Sequence, residues 1–275
     1  MTTTIAPTSW VRGFVARRPV LTYLLLMFGL GWAFLMPPAL LHFDALALFV
    51  IPTALFAQLG AAVLVTALAD GRDAVRALLR RTFRWRVHPA WYLVAAFGLP
   101  LLAVVGATAV LGLDPLRAAL ADPAGAFAFV SGLAIVPLIN LWEETGWMGF
   151  VQTRLQDRHG ALRAALLTAP LFALLHLPLH ITEAPADLAM GMGVLLMLAV
   201  PFRVVVGWLH NRTGGSVLVA AIFHASFNVA TSSVLLAALV PGMGALAVTT
   251  VVLVVAAVVV VAVTRGGLSA SRVEG

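Results

Sequence analysis

Two adjacent acidic residues, Glu143 and Glu144, lie near the end of an apolar run that begins at Ala126. On an insertion scale, an acidic side chain deep in a membrane helix costs roughly 2.5–3.5 kcal/mol. Two in succession therefore demand polar partners facing the same interior. Of the seven histidines, only His176 and His224 sit well inside apolar runs, and Asn228 follows His224 by four residues. Residues i and i+4 of an α-helix share a face, so His224 and Asn228 point the same way, and Phe172 lies one turn before His176. A carboxylate sheltered from bulk water can accept a proton from a water molecule, and imidazole or amide groups can hydrogen-bond the species that forms.

The elements that must position these groups are membrane helices. The chain is 62% hydrophobic and 10% charged, far from the balance of a soluble domain. Several runs reach the roughly 20 apolar residues needed to cross a hydrocarbon core of about 30 Å. The expected fold is an all-α polytopic bundle of about eight transmembrane helices: Val20–Leu41, Ala45–Leu68, Ala90–Leu111, Ala126–Val151, Ala164–His180, Leu188–Leu209, Ser216–Ala238 and Ala245–Thr264. They form a single membrane domain over 20–264, with tails at 1–19 and 265–275. The first tail reads as a retained cytoplasmic segment rather than a cleaved signal peptide. No cysteine is present, so thiolate catalysis and cysteine-ligated zinc are excluded.

All 17 basic residues are arginines. If the N-terminus is inside, all but Arg117 and Arg203 fall in cytoplasmic segments, and the positive-inside rule places both termini in the cytoplasm. This charge bias is a topology signal, and nucleic acid is not an expected partner. Arg72, Arg76, Arg80 and Arg84 recur every four residues opposite Val75, Leu78, Leu79 and Phe83. That pattern suits either a short helix on the anionic leaflet or a solvated loop. With a rise of about 1.5 Å per residue, Glu143 and His224 lie about 12 Å inside the cytoplasmic edge and His176 about 18 Å, so the groups can meet in one layer.

Glu143-Glu144 on one span, Phe172-x-x-x-His176 on the next and His224-x-x-x-Asn228 on a later one resemble the CPBP (CAAX protease and bacteriocin-processing) intramembrane proteases, also called Abi or Rce1-type enzymes. The resemblance runs from about Phe127 to Asn228, with the catalytic core expected over about 126–230, and includes the lead-in Arg212-Thr213-Gly214-Gly215-Ser216. It implies an intramembrane endopeptidase acting on a membrane-associated protein or peptide. In that scheme Glu143 is the general base and Glu144 supports it. His176 helps activate water, while His224 and Asn228 stabilise the oxyanion. The family usually reads EExxxR, and here the sixth position is Met148.

Three other readings stand beside this one. Glu143, His176 and His224 could hold zinc with water in the open position, although no HExxH is present and the ligands would come from three helices. The same groups could serve a proton- or ion-coupled transporter, against which no inverted repeat is apparent. The chain could also be a catalytically silent binding or immunity protein of this fold. Among lesser features, Asn140 lies one turn before Glu144 and could orient it, and Gly146 and Gly149 allow close approach of a neighbouring helix or substrate backbone. His180 reads as an interface residue, and Trp142 and Trp147 as cavity walls or ordinary packing. Arg203, inside a span, is expected to snorkel to the cytoplasmic surface rather than to supply the cation that Met148 lacks.

Overall fold

The structure is a computed structural model that describes residues 7–43, 47–232 and 244–269. The chain is all-helical over these residues, in this order: α1 (Pro7–Arg17), α2 (Pro19–Leu40), α3 (Leu48–Ala69), α4 (Arg72–Thr82), α5 (Pro89–Leu111), α6 (Asp114–Leu120), α7 (Pro123–His159), α8 (Ala161–Leu175), α9 (Pro185–Arg212), α10 (Val217–Ser232) and α11 (Gly244–Thr264). Among the described residues, seven helices are long and apolar enough to cross a membrane. The expected span Ser216–Ala238 begins as α10, and its end lies outside the described residues, as do Ala45 and parts of both tails.

Helices are the only open architecture that satisfies every backbone group without water, which is why apolar runs of this length fold as they do. Side chains such as Leu25, Phe56, Leu101, Ile135 and Val258 point outward, where hydrocarbon would cover them. Small residues and aromatics fill the inside, including Ala57, Ala62, Tyr23, Trp147, Phe172 and Phe202. At the centre, α7 packs against α10 and α8 against α9, so the three motif-bearing helices and α9 surround one interior.

Helix α7 is longer than the expected span, and it is not uniform. It begins on Pro123, with the Asp122 side chain accepting a hydrogen bond from the Ala124 N–H at 3.0 Å, and is α-helical to Glu144. Residues Thr145–Gln152 then widen into a π-helical stretch before α-geometry resumes at Thr153. Such stretches are uncommon and concentrate at functional sites. Side chains tie the wide turn down: the Thr145 hydroxyl donates to Leu141 O at 2.7 Å and the Thr153 hydroxyl to Met148 O at 2.8 Å.

The basic segment is a helix, with Arg72, Arg76 and Arg80 exposed on one side and the other side held against the bundle. In α4, Leu78, Arg81 and Thr82 share one face and dock on the π stretch. Arg81 donates to Gly149 O at 3.2 Å, and Thr82 Oγ1 lies 3.2 Å from Thr145 Oγ1. The two glycines of the stretch admit neighbouring helices. A Cβ at Gly149 would stand 3.0 Å from Leu78 Cδ1, and one at Gly146 would collide with the hydroxyl of the buried Tyr23 on α2.

Candidate active site

Glu143 and Glu144 occupy the last α-helical positions before the π stretch. Consecutive residues on an α-helix are rotated by about 100°, so the two carboxylates meet largely different neighbours. Glu144 is fully buried and heavily bonded. Arg203 Nη1 on α9 donates to its Oε1 at 2.9 Å and its Oε2 at 3.1 Å, and His224 Nδ1 on α10 lies 2.9 Å from Oε1. Glu143 keeps 15% of its side chain accessible; its Oε2 accepts from Asn140 Nδ2 at 3.2 Å and stands 3.8 Å from His224 Nδ1.

His224 and Asn228 both face α7, as their spacing requires. Because a carboxylate only accepts, His224 Nδ1 carries the hydrogen that points at Glu144, leaving Nε2 for other work. Asn228 Nδ2 approaches Asn140 Oδ1 at 3.4 Å, which links it through Asn140 to Glu143. Asn140 therefore serves Glu143, one helical step away at i+3, and not Glu144 as expected.

His176 sits just beyond the end of α8, not inside a continuing helix. Pro178 disfavours α-geometry at Leu177, and the chain passes into a 3₁₀ turn at Leu177–Leu179. Its Nδ1 donates to Phe172 O at 2.9 Å, so Nε2 retains its lone pair. The Phe172 ring contacts both imidazoles, with ring centroids 4.9 Å from His176 and 5.7 Å from His224. The structure thus joins Glu143, Glu144, His224, Asn228 and Asn140 in one hydrogen-bonded set, and His176 adjoins that set through the Phe172 ring.

Arg203 corrects the expectation of snorkelling. It is fully buried, its guanidinium lies 5.4 Å from the Phe172 ring centroid, and Nη2 contacts Met148 Sδ at 2.8 Å. Reaching the surface would leave the Glu144 carboxylate buried without a cation, a cost of several kcal/mol. The guanidinium consequently fills the space in front of Met148, the position where the family pattern has its arginine. An arginine alone in an apolar span was the sequence signal for this role. Tyr23 had none: it is buried against Gly146 and Phe150, its ring 4.8 Å from that of Phe150, and only packing reveals it. Trp147 is likewise core, 5.7 Å from the Phe172 ring, while Trp142 packs edge-on to Phe83. His180 pairs with Glu183 at 2.8 Å.

The side chains are not gathered as zinc ligands would be. Ligands must converge to about 2.0–2.2 Å around one point. Among the described residues no group of three histidine or carboxylate side chains does so.

Residues 124–230 match the family described as type II CAAX prenyl endopeptidase Rce1-like. The matched stretch starts at α7 and ends in α10, and so contains every residue of the bonded set. This core is similar to the CPBP/CAAX protease family. CAAX prenyl protease 2 of Methanococcus maripaludis is 26% identical over 106 residues, covering 36% of this chain and 39% of that relative. The chain thus matches about two-fifths of the relative's length. Within the matched stretch, the glutamate pair lies on α7, His176 caps the end of α8, and His224 and Asn228 lie on α10, while the Arg203 cation comes from α9.

Proposed function

We propose that this chain is an intramembrane endopeptidase in which Glu143 activates the attacking water. The observation that supports this most directly is the unequal environment of the two glutamates. Glu144 is saturated by Arg203 and His224, whereas Glu143 is partly accessible and lightly bonded. Two carboxylates against one guanidinium leave one unbalanced negative charge in a buried setting. Sharing a single proton between Glu143 and His224 removes that imbalance.

In the proposed reaction Glu143 takes a proton from water as its oxygen attacks the peptide carbonyl carbon. His176 Nε2 accepts a hydrogen bond from that water and orients it. The oxyanion is stabilised by His224 Nε2–H and the Asn228 amide, and Glu144 with Arg203 holds the His224 ring in place. Collapse of the tetrahedral species breaks the C–N bond, and Glu143 returns the proton to the departing amine. The termini are cytoplasmic, the site opens nearer that leaflet, and the substrate is a membrane-associated protein or peptide. The relative's name makes a prenylated carboxy-terminal peptide the first substrate to try.

The test is cleavage of a peptide panel by the purified full chain. Glu143→Gln should lower turnover by about 10²–10⁴-fold, the usual contribution of a general base, with an unchanged melting temperature. Activity should survive prolonged chelation. Undiminished turnover in Glu143→Gln would remove Glu143 as base, and stoichiometric zinc lost together with activity would replace this mechanism with a metal one.

A further inference from the structure

Away from the glutamates, at the arginine-rich end of the bundle, a cleft of about 600 Å³ opens between α4, the end of α9, the α7–α8 turn and the segment at Gly267–Ser269. Its walls include Arg81, Thr153, Gln156, His210, Asn211 and Ser269. Gln156 and Asn211 satisfy each other through two amide hydrogen bonds of 3.1 Å. His210 is different. It is only 5% exposed, and neither ring nitrogen makes a well-formed hydrogen bond, although the Asn211 amide lies near. Buried polar side chains nearly always have partners. The Nε of Arg81 is also buried and without one.

These two side chains converge. A Cβ built at Gly215, where φ is +84°, would lie 3.5 Å from Arg81 Cδ and 3.8 Å from His210 Cε1 and Nε2. Glycine at this position therefore leaves open a cradle that any side chain would fill. The surroundings are cationic. The Arg84 guanidinium lies over Gly214, within 3.1 Å of where its Cβ would stand, and Arg154 is close enough to act on Arg81, against which Asp157 is the opposing charge. Burial, and then Arg154, hold the Arg81 guanidinium below its ordinary pKa, so an anion here would relieve a strained cation.

We propose that this cleft binds a phosphate group, held by the Arg81 guanidinium and the His210 ring. Guanidinium is the side chain best matched to phosphate oxygens, and Ser269 lines the same space. The phosphate could belong to an anionic lipid headgroup or be free in solution, since both present the same oxygens. Arg81 also bonds Gly149 O in the π stretch, so an occupant would touch the helix that carries the glutamates.

The experiment uses the full chain, labelled with ¹⁵N-histidine, in a maltoside micelle that contains no phosphate. Inorganic phosphate is titrated in one arm and short-chain phosphatidylglycerol in another, with chloride at matched ionic strength as control; the His210 ring signal is assigned by its loss in His210→Phe. A saturable shift of that signal with inorganic phosphate supports the site with a soluble source. A shift with phosphatidylglycerol alone supports it with a lipid source. Binding measured by calorimetry should weaken about tenfold or more in Arg81→Met and in His210→Phe, as loss of a charge-assisted hydrogen bond implies. An unmoved His210 signal in both arms, a shift that chloride reproduces, or binding unchanged in both variants would overturn the proposal. None of these readouts depends on peptidase activity.

Discussion

Exchanging the residues at 148 and 203 tests the central charge arrangement. Arg203 and Glu144 are both fully buried, joined by bonds of 2.9 and 3.1 Å, and Arg203 Nη2 is 2.8 Å from Met148 Sδ. Arg203→Met leaves a buried carboxylate with only His224 for company. Breaking a buried pair from one side costs about 3–5 kcal/mol, a value reduced in membranes because the unfolded chain also finds polar partners. Met148→Arg alone crowds a second guanidinium into the space that Arg203 Nη2 already fills, 2.8 Å from Met148 Sδ, and should also destabilise. In the double variant Met148→Arg/Arg203→Met, the cation returns on α7 itself, four residues after Glu144 and on the same face. Thermal melts and peptide cleavage on all four proteins complete a double-mutant cycle. We expect a favourable coupling of about 1–3 kcal/mol and recovery of turnover by about tenfold or more over Arg203→Met. A double variant no more stable or active than Arg203→Met would show that the cation must come from α9, and would refute the equivalence of the two positions.

Asn228→Ala should lower turnover by about 10²–10³-fold at unchanged melting temperature, as loss of one oxyanion donor does, measured by steady-state cleavage. Gly146→Ala should destabilise by about 1–3 kcal/mol through collision with Tyr23, and Tyr23→Phe in the same chain should return part of that loss in a thermal melt. Reporter fusions after Gly71 and at the C-terminus should report cytoplasm and a fusion after Asp114 the outside; a cytoplasmic signal at Asp114 would reverse the orientation.

The sequence by itself determined the class of the molecule and the identity of its polar interior. Apolar runs long enough to cross a bilayer can satisfy their backbone groups only as helices, so the all-α bundle follows from composition and period. Ionisable and strongly polar groups are costly there, so Glu143, Glu144, His176, His224 and Asn228 stand out from the sequence. Their i,i+4 relation was enough to place His224 and Asn228 on one face. The tertiary structure alone decided which group meets which. Glu144 finds Arg203 59 positions away and His224 80 positions away. Whether an arginine in a span turns inward or snorkels depends on the rotation of α9 and on a carboxylate already waiting, and neither is a local property. The same holds for Asn140, whose partner is Glu143 because the α-geometry of α7 persists just far enough to set them at i+3. The π stretch at Thr145–Gln152 and the seat of Tyr23 on Gly146 arise from packing between α2, α4 and α7. One sequence period cannot encode them, since they depend on how three separate helices fill a common volume.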